Sequence, residues 1–134
     1  MSIAVFERSQ SQPIFVLIAA VIILLMFYLG AQPIVAGMFH PPWDKLAHFI
    51  AYATLTVLLR LGLGRDQPWL LVVLIGIIGS VDEWRQLSIP GRSAELADLV
   101  TDIAAAVVAI LACEWHEKNR KLSRPALPEP GHSN

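Results

Sequence analysis

The chain has 134 residues, 55% of them apolar and 16% charged, with a mean hydropathy of +0.57; so little polar surface excludes an ordinary soluble domain. The net charge of −1 supplies no basic field for nucleic acid, and the basic residues are separated by long apolar stretches. Cys113 is the only cysteine, which excludes an intramolecular disulfide and a cysteine metal site within one chain; its place in an apolar run assigns it to packing.

Residues 1–12 form a short leading segment, and residues 13–30 carry no charge. That run approaches the roughly 20 residues a helix needs to cross about 30 Å of hydrocarbon. A signal peptide is the competing reading. The leader sets only Arg8 against Glu7, the apolar part is long, and the cleavage candidate at residues 35–37 is poor, so the run is expected to remain as a first span. Pro41 and Pro42 break the chain, Trp43, Asp44 and Lys45 open a second apolar run, and Gly62 and Gly64 close it, giving a span over 44–63.

Residues 68–87 read as a third span, apolar through Val81 and then polar at Asp82, Glu83, Arg85 and Gln86. Pro90 and Gly91 signal a turn, and Ser93 is the expected N-cap of a fourth helix, with Glu95 in its first turn. The fourth span is expected over 94–115. Residues 116–134 form a tail, expected to be disordered from its polar and proline content.

The fold class is therefore all-α, an integral membrane four-helix bundle over residues 13–115. Four crossings put both termini and the connection between spans two and three on one side, with Arg8, Arg60, Arg65, Lys118, Arg120, Lys121 and Arg124; the other side has Lys45, Arg85 and Arg92. Positive charge collects on the cytoplasmic side, so both termini are expected there. Trp69 and Trp115 then fall at the inner boundary and Trp43 and Trp84 at the outer one, the headgroup level that tryptophan prefers. Arg60 is expected to snorkel to the inner headgroups.

The polar residues follow helical spacing. Asp44, His48 and Tyr52 are four apart in succession, with Lys45 three before His48; Asp82 and Glu83 lie four and three before Gln86; Asp98 and Asp102 are four apart. At 1.5 Å per residue, His48 stands roughly 22 Å from Leu63, Glu83 about 21 Å from Trp69 and Asp102 about 20 Å from Trp115, which places the three in one layer. A charge at that depth costs about 2.5 to 3.5 kcal/mol if it faces lipid, so these groups are expected to face the bundle interior or a wet cavity.

Asp44-Lys45, His48-Phe49 and Tyr52, then Asp82-Glu83 and Gln86, Pro90-Gly91-Arg92, and Asp98 with Asp102 together resemble the VanZ-like family of bacterial membrane proteins. The likeness covers spans two to four in order. It implies a multi-pass protein of the bacterial cytoplasmic membrane, in a family named for a protein associated with low-level resistance to teicoplanin. The family pattern has Asn where this chain has Asp102 and Gly where it has Ala105. The first departure adds a negative charge, and the second keeps a small residue for helix packing.

Three readings of these residues compete. In the first, the polar residues are a network that glues the bundle, with Lys45 and Arg92 neutralising some of Asp44, Asp82, Glu83, Asp98 and Asp102. In the second, they bind an anionic amphipathic or lipid-linked ligand at the outer leaflet. The expected partners are then membrane lipids, a lipid-linked cell-wall intermediate or a lipoglycopeptide, with Lys45 and Arg92 on its phosphate or carboxylate. In the third, a membrane enzyme uses His48 or Glu83 as general acid or base; no nucleophile elbow or P-loop accompanies them. A metal held by His48, Glu83, Asp98 and Asp102 is also conceivable. One histidine among carboxylates, with Lys45 and Arg92 competing for the same anions, leaves the expectation at no metal and no cofactor.

Overall fold

A computed structural model describes residues 12–32, 42–64, 67–90 and 93–123. These form four α-helices and, among the described residues, no strand: α1 (Pro13–Gly30), α2 (Trp43–Leu63), α3 (Pro68–Gln86) and α4 (Leu96–Leu122). Pro13 and Pro68 begin α1 and α3, where a missing N–H costs nothing and the fixed φ suits a helix. Gly64 ends α2 at φ 99°, donating its N–H to the carbonyl of Arg60; only glycine takes that backbone conformation without strain.

Helix α2 is the centre of the bundle. It packs most extensively on α4 and carries α1 on another flank, while α3 packs on α4 and more lightly on α2. Helices α2 and α4 run parallel in constant register: Lys45 meets Asp98 and His48 meets Asp102 near their starts, and Arg60 meets Glu114 near the other end. The core joins Tyr52, Leu55 and Leu59 of α2 to Leu71 and Ile75 of α3, Ala105, Ala106 and Ile110 of α4, and Ala19 of α1. Ala105 and Ala106 have no exposed surface, and their small side chains let the two parallel backbones approach.

The antiparallel contact between α1 and α2 depends on Gly62. A Cβ there would lie 2.5 Å from Val16 Cγ2 and 2.8 Å from the Val16 backbone nitrogen. Outside these contacts the surface is apolar: Leu17 and Leu24 of α1, Ile50 of α2, Ile77 of α3 and Leu111 of α4 are all exposed. Helices α1, α2 and α4 are long and apolar enough to cross a membrane, whereas α3 carries Asp82, Glu83 and Arg85 near its end. Trp43, Trp69, Trp84 and Trp115 are all exposed, close to helix ends or the charged segments.

Three expectations are corrected. Helix α4 starts at Leu96 with Glu95 as its N-cap, not at Ala94 behind Ser93; the Glu83 carboxylate accepts the Glu95 N–H at 2.7 Å and holds that residue extended. The same helix runs past Trp115 to Leu122, so residues 116–122 are helical, with Arg120 and Lys121 in the last turn where the helix dipole favours cations; residues 124–134 lie outside the described part. Arg60 does not snorkel. Its side chain is buried, with the guanidinium 3.6 Å from Glu114 and 3.7 Å from Glu117.

Candidate functional site

The polar residues of three helices meet at the end of the bundle where α2 and α4 begin and α3 finishes. Lys45 sits among three carboxylates, its Nζ 2.8 Å from Asp98 Oδ1, 3.0 Å from Glu95 Oε2 and 3.4 Å from Asp44 Oδ2. One turn along, His48 Nδ1 lies 3.0 Å from Oδ1 of Asp102, a residue with no exposed surface. Tyr52 lies one turn further, fully buried, its ring stacked on that of His48 at 5.9 Å between centroids.

Helix α3 supplies the third side. Gln86 donates its amide to Asp82 Oδ2 at 3.3 Å and Glu83 Oε1 at 3.4 Å, and all three residues are buried. Gly79, one turn below Glu83, makes room for Asp102: a Cβ at Gly79 would come 2.8 Å from Asp102 Oδ2. Arg85 turns away toward α1, donating to the Phe27 carbonyl at 2.6 Å and standing over the Phe27 ring, with a weaker 3.8 Å contact to Asp82.

Of the residues singled out in the sequence, Asp44, Lys45, His48, Tyr52, Asp82, Glu83, Gln86, Asp98 and Asp102 come together. Arg92 lies outside the described residues. Two members were not singled out: Glu95, a ligand of Lys45, and Arg85. Each had a signal, since Glu95 is three before Asp98 and Arg85 three after Asp82.

The cluster is unbalanced in charge. Among the described residues, the acidic side chains Asp44, Asp82, Glu83, Glu95, Asp98 and Asp102 face Lys45 and Arg85, with the His48 imidazole between them. The Tyr52 hydroxyl, Asp102 Oδ2 and Asp44 Oδ1 are buried with no hydrogen-bond partner among the described residues. Such atoms cost stability where they stand and gain from any added partner. Beside the cluster, on a neighbouring face of α3 and α4, an apolar groove of about 500 Å³ runs from Val73 past Gly76, Ile77 and Ser80 to Trp84, with Leu99 and Ile103 on its far wall.

An all-helical chain with an apolar exterior, membrane-length helices and a buried polar cluster at one end defines a small helical membrane protein. The family model described as VanZ/LLP1 matches residues 6–116, and the chain belongs to the VanZ-like family. No curated protein and no solved structure matches it.

Proposed function

We propose that the chain crosses the bacterial cytoplasmic membrane four times with both termini inside, and that its acid-rich cluster is an outward-facing site for an anionic amphipathic or lipid-linked ligand, acting in cell-envelope or glycopeptide-resistance physiology. The crossing number is supported by the parallel course of α2 and α4. A chain that ends α2 at one face and starts α4 at the other must recross between them, and among the described residues α3 is the helix between them. The distribution of Lys and Arg supports the orientation.

The observation that carries the ligand reading is the pairing, on α3 and α4, of a charged cluster with an apolar groove on the neighbouring face. A molecule with a polar head and an acyl chain matches both surfaces at once. Lys45, 32% exposed at its side chain, already pairs with Asp44, Glu95 and Asp98, so the cationic charge this reading needs for a phosphate or carboxylate comes from Arg92 in the connecting segment. Native mass spectrometry of protein released from membranes tests this. Wild type is expected to retain a lipid of defined mass, which Gly76→Leu, filling the groove, and Arg92→Ala, removing head-group charge, both lose while remaining folded. Identical lipid content in all three, or none in wild type, argues against it.

The His48–Asp102 pair favours a second reading as a membrane enzyme, because a buried carboxylate on Nδ1 orients an imidazole for proton transfer. That reading requires unreacted lipid-linked substrate to accumulate in membranes carrying Glu83→Gln.

A further inference from the structure

We propose that the protein holds a divalent transition-metal cation, of the zinc or manganese class, at the junction of His48 of α2, Glu83 of α3 and Asp98 of α4. One ligand atom from each residue lies within 4.8 Å of the other two. Ligands sharing a cation at about 2.1 Å stand about 3–4 Å apart, so binding draws these side chains inward by roughly an ångström. One imidazole nitrogen with two carboxylate oxygens suits zinc or manganese better than calcium or magnesium, which prefer oxygen alone.

Three independent features point to a cation at this place. The first is charge. Lys45 serves the neighbouring acidic group of Asp44, Glu95 and Asp98, and Arg85 is directed at α1 and Asp82, so Glu83 and Asp102 pair with no lysine or arginine among the described residues. The second is the pair of fully buried residues with an unpartnered polar atom beside His48: Asp102 through Oδ2 and Tyr52 through its hydroxyl. Water carried in with a cation is the partner these buried atoms lack; the cation itself, on Nε2, lies across the imidazole from Asp102.

The third is the support behind the ligands. Asp102 holds Nδ1 of His48 at 3.0 Å, which leaves Nε2 for the metal in the carboxylate–histidine–metal arrangement of many protein sites. Glu83 is held by the Glu95 N–H on one oxygen and approached by Gln86 on the other. Asp98 gives Oδ1 to Lys45 and keeps a second oxygen. This site goes beyond the ligand reading and needs no lipid.

The test is calorimetric titration of the full-length, chelator-stripped protein in detergent with zinc and, separately, manganese, alongside thermal unfolding and circular dichroism. One equivalent of at least one metal is expected to bind and raise the melting temperature. Glu83→Gln and Asp98→Asn are expected to abolish binding; Asp102→Asn, which acts through His48, to weaken it about 10–100-fold; His116→Ala, at the other end of α4, to leave it unchanged. A folded wild type that takes up neither metal overturns the proposal, whatever the variants do. So does uptake that survives in folded Glu83→Gln and Asp98→Asn but is lost with His116→Ala.

Discussion

His48 and Asp102 meet across the α2–α4 interface with 3.0 Å between Nδ1 and Oδ1, where the carboxylate has no exposed surface. Removing one partner of a buried pair leaves the other unsatisfied, which costs on the order of 3 kcal/mol, whereas replacing both by apolar residues of similar size is often close to neutral. His48→Leu is therefore expected to lower thermal stability in detergent sharply, and His48→Leu with Asp102→Leu to recover most of it. Additive losses in this double-mutant cycle would show that the contact is not energetically coupled.

Tyr52 makes the opposite prediction for a single atom. Its hydroxyl is buried with no partner among the described residues, a state that costs about 1–3 kcal/mol. Tyr52→Phe removes the atom and keeps the stacked ring, so apo protein is expected to melt at the same or a higher temperature. At the same time, metal uptake or ligand retention should weaken. A large loss of stability in apo Tyr52→Phe would mean that the hydroxyl has a structural partner.

Glycine positions separate close backbone approach from open space. At Gly62 a methyl group meets the Val16 backbone, while at Gly76 the nearest atom is Ile103 Cδ1, 3.9 Å away. Gly62→Ala is expected to cost about 1–3 kcal/mol by pushing α1 from α2, and Gly76→Ala to be tolerated, both measured by unfolding in the same detergent. Equal behaviour of the two variants would contradict the α1–α2 contact.

Arg60 distinguishes pairing from snorkelling. Its guanidinium reaches Glu114 and Glu117 together, a fork that a single ammonium does not reproduce. Arg60→Lys is expected to lose about 0.5–1 kcal/mol, the scale of an ion pair to partly exposed carboxylates. Glu114→Gln with Glu117→Gln should make wild type and Arg60→Lys alike. If lysine substitutes at no cost in the unaltered background, the side chain serves water or headgroups instead.

Much of this arrangement is legible in the sequence for plain physical reasons. Apolar run length locates the helices, Pro13, Pro68 and Gly64 punctuate them, and the fixed rise per residue places His48, Glu83 and Asp102 in one layer before any contact is known. The partners are less legible. Glu95 stands three before Asp98, but its place in the cluster is fixed by Glu83 on its backbone N–H and Lys45 on its carboxylate, contacts between helices that spacing alone does not assign. Arg60 reads as an interfacial cation because it sits near a helix end; its partners lie on α4, the parallel helix that packs most extensively on α2. Helix α4 outran its apolar stretch because polar residues with good helix propensity continue it to Leu122.

The central claim is that the cluster opens to the outside of the cell and the opposite end to the cytoplasm. Single cysteines placed at Ser88 and at Ser123, both exposed, in a Cys113→Ala background test it with a membrane-impermeant thiol reagent on intact cells. The account predicts labelling of Ser88→Cys from outside, and of Ser123→Cys only after the membrane is opened. The reverse pattern, or both positions labelled from the same side, would contradict it.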